Sequence, residues 1–235
     1  MAVPSEDAAG AEESGGTGPP LQIAVLVSGH GRGTNLGALL DACASGQIAG
    51  HIAVVIGTRA DAPALERARA AGARTVVVSP RKYAENEAGY ADALLRVLAA
   101  HHTGLICLAG YMRKLPSQVV TAYRGRIMNV HPALLPLFGG HGMYGEHVHR
   151  AVLESGMKVS GCTVHFVDEQ YDTGPIILQT AVPVLDTDTP ETLAARVLPE
   201  EHRVYVRAVQ LFAEGRLRIE GRRVFVLPSR SVTVP

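Results

Sequence analysis

The sequence predicts an α/β fold: a doubly wound, mostly parallel sheet that ends in a C-terminal antiparallel strand pair. Three observations indicate it. An almost unbroken apolar run, residues 21–27, is followed by a glycine-rich loop and then by leucines at helical spacing. The same strand-then-helix rhythm recurs up to about residue 115, whereas from residue 160 onward the strands come in pairs joined by turn residues. Alternation with helices favours parallel pairing, and tight turns favour antiparallel pairing.

The elements follow in order from short apolar runs bounded by Gly, Pro or polar residues, and from apolar residues at helical spacing. After the first strand, strands are predicted over residues 52–56, 75–78, 105–108, 127–130, 160–167 and 176–184, with a closing hairpin over residues 217–227. Helices are predicted from about residue 36 and over residues 62–71, 85–100 and 146–154. Thr189 followed by Pro190 starts a further long helix, because Thr caps a helix and Pro fits its first turn.

Length and charge bound the possible functions. The chain has 235 residues and equal numbers of basic and acidic side chains, 22 of each, which suits one α/β domain and gives no basic field for nucleic acid. We expect residues 21–228 to form that single domain. Residues 1–20 contain four acidic side chains and no Lys or Arg, so we expect a disordered tail there and a loose C-terminus over residues 229–235.

Cellular location is predicted from what the sequence lacks. No apolar run is long enough to span a membrane, and the N-terminus has no basic flank followed by an apolar segment. We therefore expect a cytoplasmic protein with no membrane partner. Cys43, Cys107 and Cys162 are odd in number and widely spaced, which predicts buried free thiols and not disulfides or a metal knuckle.

The glycine-rich loop after the first strand, residues 28–35, is a candidate anion site. It reads Ser-Gly-His-Gly-Arg-Gly-Thr-Asn and opens a helix, so backbone N–H groups and the helix dipole can face a phosphate. Thr34 or Asn35 can cap the helix or bind phosphate oxygens. The alternative is a tight turn without a ligand, because the loop matches neither a Walker A motif nor a dinucleotide fingerprint.

A second candidate site follows the strand at residues 127–130. Asn129 and His131 are two residues apart, so both side chains leave the same face of an extended segment, and Pro132 then ends the strand. An amide donor and an imidazole that titrates near neutral pH can act on one small group. The alternative is a polar strand end with a satisfied histidine. Because loops after parallel strands meet at one sheet edge, loops 28–35, 109–115 and 129–136 are expected to form one site.

Other polar residues have a structural and a functional interpretation. The segment 137–145 is glycine-rich and is expected to be a mobile loop, and its neighbours His141, Glu146, His147 and His149 match no compact metal-ligand spacing, so no metal site is expected. His165 alone suits a satisfied core-edge residue, and Glu201 a solvated helix face. Asp172 is either a turn former or a carboxylate that raises the basicity of a nearby imidazole.

Five segments in unbroken order resemble the folate-dependent phosphoribosylglycinamide formyltransferase family, and their joint occurrence is far more specific than any one of them. The resemblance covers about residues 22–220 and rests on Ser28-Gly29 with Gly33-Thr34-Asn35-Leu36, on residues 108–113 (Leu-Ala-Gly-Tyr-Met-Arg), on residues 129–136 (Asn-Val-His-Pro-Ala-Leu-Leu-Pro), on residues 163–167 (Thr-Val-His-Phe-Val) and on residues 172–177 (Asp-Thr-Gly-Pro-Ile-Ile). It implies a Rossmann-like formyltransferase fold and formyl transfer from 10-formyltetrahydrofolate to the amine of glycinamide ribonucleotide (GAR). No metal is implied, and the protein would act on these small molecules as a monomer or homodimer.

The resemblance also implies roles for residues at matching positions. The catalytic group would be Asn129, His131 and Asp172. The nucleotide would contact Gly33, Thr34, Asn35 and Glu201. The folate would contact Tyr111, Met112, Arg113, Lys114, Leu115, Asn129 and Asp172. Three positions depart from the family pattern: a glycine loop longer by about two residues, with Arg32 as an added phosphate candidate; Glu87 in place of a frequent arginine; and a longer loop at residues 139–146.

Other classes remain as alternatives. A formyltetrahydrofolate hydrolase would share the folate site and the three catalytic residues, but normally carries a preceding regulatory domain, for which residues 1–20 are too short. A methionyl-tRNA formyltransferase should have a basic C-terminal domain, and only some 20 residues follow the last helix. A non-enzymatic nucleotide sensor would use the glycine loop alone, so separation of Asn129, His131 and Asp172 in space would favour it.

Overall fold

The strand and helix boundaries can be read for residues 19–29 and 31–229, which the computed structural model describes. The strands are β1 (Leu21–Val27), β2 (Gly50–Gly57), β3 (Thr75–Val77), β4 (Leu105–Leu108), β5 (Ile127–His131), β6 (Val159–Phe166), β7 (Ile176–Pro183), β8 (Leu217–Glu220) and β9 (Arg223–Val226). The helices are α1 (Thr34–Ala44), α2 (Pro63–Ala70), α3 (Glu87–Ala100), α4 (Ser117–Ala122), α5 (Glu146–Glu154) and α6 (Pro190–Ala213), with a 3₁₀ turn at Pro80–Tyr83.

All nine of these strands form one sheet in the order β3-β2-β1-β4-β5-β6-β7-β9-β8. The first five strands in that order, β3 to β5, are parallel. Strand β6 is antiparallel to β5 and β7, β7 pairs in parallel with β9, and β8 and β9 form a C-terminal antiparallel pair. The predicted fold class is therefore confirmed. Strand order reverses at β1, with β2 on one side and β4 on the other, which is where doubly wound sheets bind ligands.

The core lies on both faces of the sheet, as the unbroken apolar run of β1 predicts. Val25 packs with Leu36 of α1 and Tyr205 of α6 on one face, whereas Leu26 packs with Leu94 of α3 on the other. The Tyr205 hydroxyl lies 3.0 Å from the carbonyl oxygens of both Leu108 and Met128, so α6 is tied to the ends of β4 and β5.

Several predicted boundaries needed correction. Helix α4 was missed, because it has only six residues, too few for an apolar period to show. Neither Thr34 nor Asn35 caps α1: the capping residue is Gly33, whose φ of 70° lies in the left-handed region. The Thr189 cap and Pro190 at the first turn of α6 are confirmed, and that helix continues through Pro199.

Some predictions concern residues at the chain ends. The predicted disordered tail lies outside the described residues except for 19–20, and the predicted loose C-terminus lies outside them except for 229. Within the described ranges, no helix combines the length and the apolar character that crossing a membrane requires. Cys43, Cys107 and Cys162 are free thiols, as predicted, and Cys43 is only partly buried.

Candidate active site

Loops from the carboxyl ends of β1 and β4 meet at one edge of the sheet. The Ser28 backbone N–H donates to the Gly110 carbonyl oxygen over 3.3 Å, and the Ser28 hydroxyl oxygen accepts from the Met112 N–H over 2.9 Å. These bonds join the glycine-rich loop to the loop after β4. The expectation that the two loops share one edge with the end of β5 is confirmed, because Gly110, Met112 and Asn129 line the same cavity.

This cavity has a volume of about 480 Å³ and collects most of the residues singled out in the sequence. Its lining includes Asn35, Tyr111, Met112, Arg113, Lys114, Leu115, Asn129, His131, Asp172 and Glu201. Gly33, Thr34 and Arg32 are not part of the lining. The lining also includes residues 140–145 of the glycine-rich segment, together with His149, His165 and Tyr171. The cavity therefore runs from the start of α1 and the middle of α6 to the loop after β4.

Asn129, His131 and Asp172 meet in the middle of this cavity. Asp172 lies between two imidazoles: its Oδ2 is 3.6 Å from His131 Nδ1, and its Oδ1 is 3.6 Å from His165 Nε2. Asn129 Nδ2 donates to His165 Nε2 over 3.2 Å. An amide NH₂ has two hydrogens, so one remains for another acceptor. A neutral donor, a titratable ring and a carboxylate thus face one small space.

The segment 138–140 holds both His131 and Asp172 through its backbone. His131 Nε2 donates to the Phe138 carbonyl oxygen over 2.8 Å, which places the proton of the neutral ring on Nε2 and leaves Nδ1 facing Asp172. The Gly140 N–H donates to Asp172 Oδ2 over 3.0 Å. Gly139 is closely packed, because a Cβ there would lie 2.6 Å from a methyl of Leu135 and 3.1 Å from Asp172 Cβ, and Leu135 would have to shift.

The environment sets the charges of the two groups. Burial acts to raise the pKa of Asp172, but the neighbouring imidazoles of His165 and His131 and the Gly140 N–H outweigh it and lower that pKa. Burial lowers the pKa of His131, and the Asp172 carboxylate only partly offsets this effect. At neutral pH Asp172 is therefore ionised and His131 neutral. The resting His131 ring is therefore able to accept a proton.

These shifts predict how stability depends on pH. Burial also lowers the pKa of His149, so His131 and His149 both bind protons more weakly in the folded chain than in the unfolded chain. Their contribution is fully present above the ordinary histidine value of 6.5 and is lost as the pH falls below it through the lowered values. The unfolding temperature should therefore fall between about pH 7.5 and pH 5.5, and fall less in the double variant His131→Asn, His149→Asn. An equal fall in both proteins, measured by calorimetry beside a His147→Asn control, would contradict this.

At the α1 end of the cavity, Asn35 and Glu201 are paired. Asn35 Nδ2 donates to Glu201 Oε2 over 2.8 Å, and Glu201 is only 9% exposed. Burial raises the pKa of Glu201, and the Asn35 bond only partly opposes the increase. The structural alternative for Glu201, a solvated helix face, does not hold, because α6 packs against α1 and this residue is buried.

Sequence reasoning missed His165 as part of the site. It was interpreted as a satisfied core-edge residue, and its Nδ1 indeed donates to the Phe166 carbonyl oxygen over 2.8 Å. Its Nε2 nevertheless contacts the site, because β6 pairs with β5 so that His165 lies opposite Asn129. Among the residues that the structure describes, no three His, Cys, Asp or Glu side chains cluster as metal ligands. His141 and His147 instead form edge contacts with Tyr171 and Tyr144.

Comparison with known proteins finds similar sequences and structures along most of the chain. A family model described as formyl transferase matches residues 21–209. The phosphoribosylglycinamide formyltransferase of Escherichia coli (strain K12) is 40% identical over 199 residues, which cover 85% of this chain and 90% of the relative. The crystal structure of glycinamide ribonucleotide transformylase 1 from Symbiobacterium toebii is 52% identical, with a TM-score of 0.84 over 90% of this chain and 96% of that chain.

A formyltetrahydrofolate deformylase from Pseudomonas syringae pv. tomato shares the fold more distantly. Its crystal structure is 25% identical, with a TM-score of 0.78 over 89% of this chain and 66% of that chain. The family model covers well over half of the chain, and the E. coli relative is matched along most of its length. This chain therefore belongs to the formyl transferase family.

Proposed function

We propose that this chain transfers the formyl group of 10-formyltetrahydrofolate to the amine of GAR, giving formyl-GAR and tetrahydrofolate in purine biosynthesis. The observation that carries the proposal is the meeting of Asn129, His131 and Asp172 in one cavity. A nucleotide sensor that used the glycine loop alone would not need this arrangement. The names of the E. coli relative and of the Symbiobacterium structure support GAR as the acceptor.

The two ends of the cavity suit the two substrates. Asn35 and Glu201 offer hydrogen bonds for the polar nucleotide, and the start of α1 beside them, Gly33 and Thr34, offers backbone N–H groups for its phosphate. At the other end, residues 111–115 combine the apolar surface of Tyr111, Met112 and Leu115 with the cations Arg113 and Lys114. That combination suits a flat ring system with a carboxylate tail, which is the shape of the folate.

In the proposed reaction, the amine nitrogen of GAR attacks the formyl carbon, and a tetrahedral oxyanion forms. The second N–H of Asn129 donates to this oxygen, a contribution of about 10²–10³ in rate for one well-placed donor. Neutral His131 accepts the amine proton at Nδ1, and the Asp172 carboxylate stabilises the resulting imidazolium. The carbon–nitrogen bond to the folate then breaks, and the folate nitrogen receives the proton. No covalent bond to the enzyme forms.

The test is to mix the purified protein with GAR and 10-formyltetrahydrofolate and to follow tetrahydrofolate by absorbance. We expect turnover that requires GAR and yields one formyl-GAR for each folate consumed. Turnover without GAR would favour the second candidate, a formyltetrahydrofolate hydrolase, to which the Pseudomonas relative points. If no turnover is seen when both substrates are present, both the formyltransferase and the hydrolase activity are refuted.

Arg113 should determine folate affinity separately from nucleotide affinity. Its side chain is exposed and lines the cavity at the proposed folate end. Arg113→Ala is expected to raise the KM for 10-formyltetrahydrofolate roughly tenfold, as expected when a charged hydrogen-bond partner of a carboxylate is removed, and to leave the KM for GAR unchanged. Arg124→Ala is the control, since Arg124 is also exposed but lies outside this cavity. Equal effects on both KM values would remove Arg113 from the folate site.

We further propose that the protein acts in the cytoplasm, as a monomer or homodimer, without a metal and without a nucleic-acid partner. Balanced charge supports the last point, because nucleic-acid binding relies on a basic surface. The proposed chemistry supplies its own donor, base and carboxylate. Elemental analysis of the active protein and its molar mass by light scattering test these statements.

A further inference from the structure

A third buried histidine of the cavity, besides His131 and His165, has no part in the proposed chemistry. His149 on α5 is 4% exposed and lines the cavity, close enough to His131 that the charge of that ring affects it. Its Nδ1 is buried and, among the described residues, has no hydrogen-bond partner. Leaving a buried polar nitrogen unpaired is unfavourable, and native proteins rarely do so without a reason. His131 and His165, in contrast, each have a backbone carbonyl as partner.

The position of His149 assigns it to one end of the cavity. Helix α5 packs against α6, the helix that carries Glu201, and Glu201 holds Asn35 at the start of α1. His149 is therefore on the helix that packs beside the proposed nucleotide end of the cavity, whereas residues 111–115 form the proposed folate end. Burial lowers the pKa of His149, so the ring is neutral and offers one donor and one acceptor. Hydroxyl and amide groups match that pair.

We infer that His149 binds the GAR substrate through a hydrogen bond to its ribose or glycinamide portion. This inference rests on the proposed function and adds a substrate-binding residue to it. A purely structural histidine at this position would be expected to have its nitrogens paired within the protein. A bound nucleotide supplies the partner that the chain itself lacks, so the ring would contribute to GAR affinity and not to folate affinity.

Three variants test the inference in the full-length protein. His149→Leu removes both nitrogens at similar volume, whereas His149→Asn keeps a polar group near the position of Nδ1 and His149→Gln near that of Nε2. Calorimetric titration with GAR alone gives the Kd, steady-state kinetics give both KM values, and thermal unfolding reports the fold. His147→Leu is the matched control, because His147 lies on the same helix with its side chain exposed.

We expect His149→Leu to weaken GAR binding about tenfold, to leave the KM for 10-formyltetrahydrofolate unchanged, and to unfold at the wild-type temperature or above it. Either Asn or Gln should restore most of the affinity. Wild-type GAR affinity in folded His149→Leu would overturn the inference. The inference would also fail if His149→Leu unfolded at a lower temperature, lost affinity equally for both substrates, and neither His149→Asn nor His149→Gln restored it. If the wild-type protein itself neither binds nor formylates GAR, the proposed function fails. That result is obtained without the variants, so the two failures can be told apart.

Discussion

Asp172→Asn is expected to lower kcat by about 10²–10⁴-fold, the range for losing proton-transfer assistance in the transition state. The carboxylate faces both His131 and His165 at 3.6 Å. An amide of the same shape cannot stabilise the imidazolium that forms on His131. It can still accept the Gly140 N–H bond, so the fold should be preserved.

Steady-state assays with both substrates saturating measure this loss, and circular dichroism with thermal unfolding checks the fold. Asp186→Asn is the matched control. Asp186 is exposed, pairs with Lys158 on the surface and does not line the cavity, so its variant should retain wild-type kcat. Near-native turnover by Asp172→Asn would remove this carboxylate from the mechanism.

Asn129→Leu should produce the next largest effect, a decrease in kcat of about 10²–10³-fold, which is the usual contribution of one oxyanion donor. Leucine has nearly the same shape but neither donates to the developing oxyanion nor bonds His165 Nε2. Because the interaction forms mainly in the transition state, the KM values should change little. If both KM values rose while kcat stayed unchanged, Asn129 would contribute to substrate binding in the ground state and not to the transition state.

A different asparagine supplies the control for this experiment. Asn86 caps α3 by accepting the Gly89 N–H over 2.7 Å and is not part of the cavity lining. Asn86→Leu should destabilise the protein by roughly 0.5–2 kcal/mol, as the loss of a helix cap does, and leave kcat unchanged. The two substitutions thus separate loss of function from loss of stability.

Local patterns in the sequence predicted most of the fold. The bounds of β1, β4 and α5 were predicted correctly, because each is a clear apolar run or begins beside glycine. Helix α4 was missed since six residues hold less than two turns. The convergence of Asn129, His131 and Asp172 followed only from the joint motifs, because no local pattern brings β5 beside a turn some forty residues later.

The roles of His165 and Glu201 illustrate where sequence reasoning stops. Whether His165 faces Asn129 depends on the register between β5 and β6, and a shift by one residue would turn it to the opposite face. Glu201 lies within an amphipathic helix, where a carboxylate normally faces solvent. Only the packing of α6 against α1 buries it. Both are long-range effects that the periodicity of a single segment does not encode.

The backbone contacts of residues 138–140 with the proposed catalytic groups have a consequence for variation among related enzymes. Phe138 and Gly140 use main-chain atoms, the carbonyl oxygen and the N–H, to hold His131 and Asp172. The side chains of His141 and Tyr144, a few positions further on, do not take part in these contacts with His131 and Asp172. Substitutions and length changes there can alter substrate preference while the reacting groups keep their orientation, so this stretch is a suitable place to diversify when a formyl acceptor other than GAR is sought.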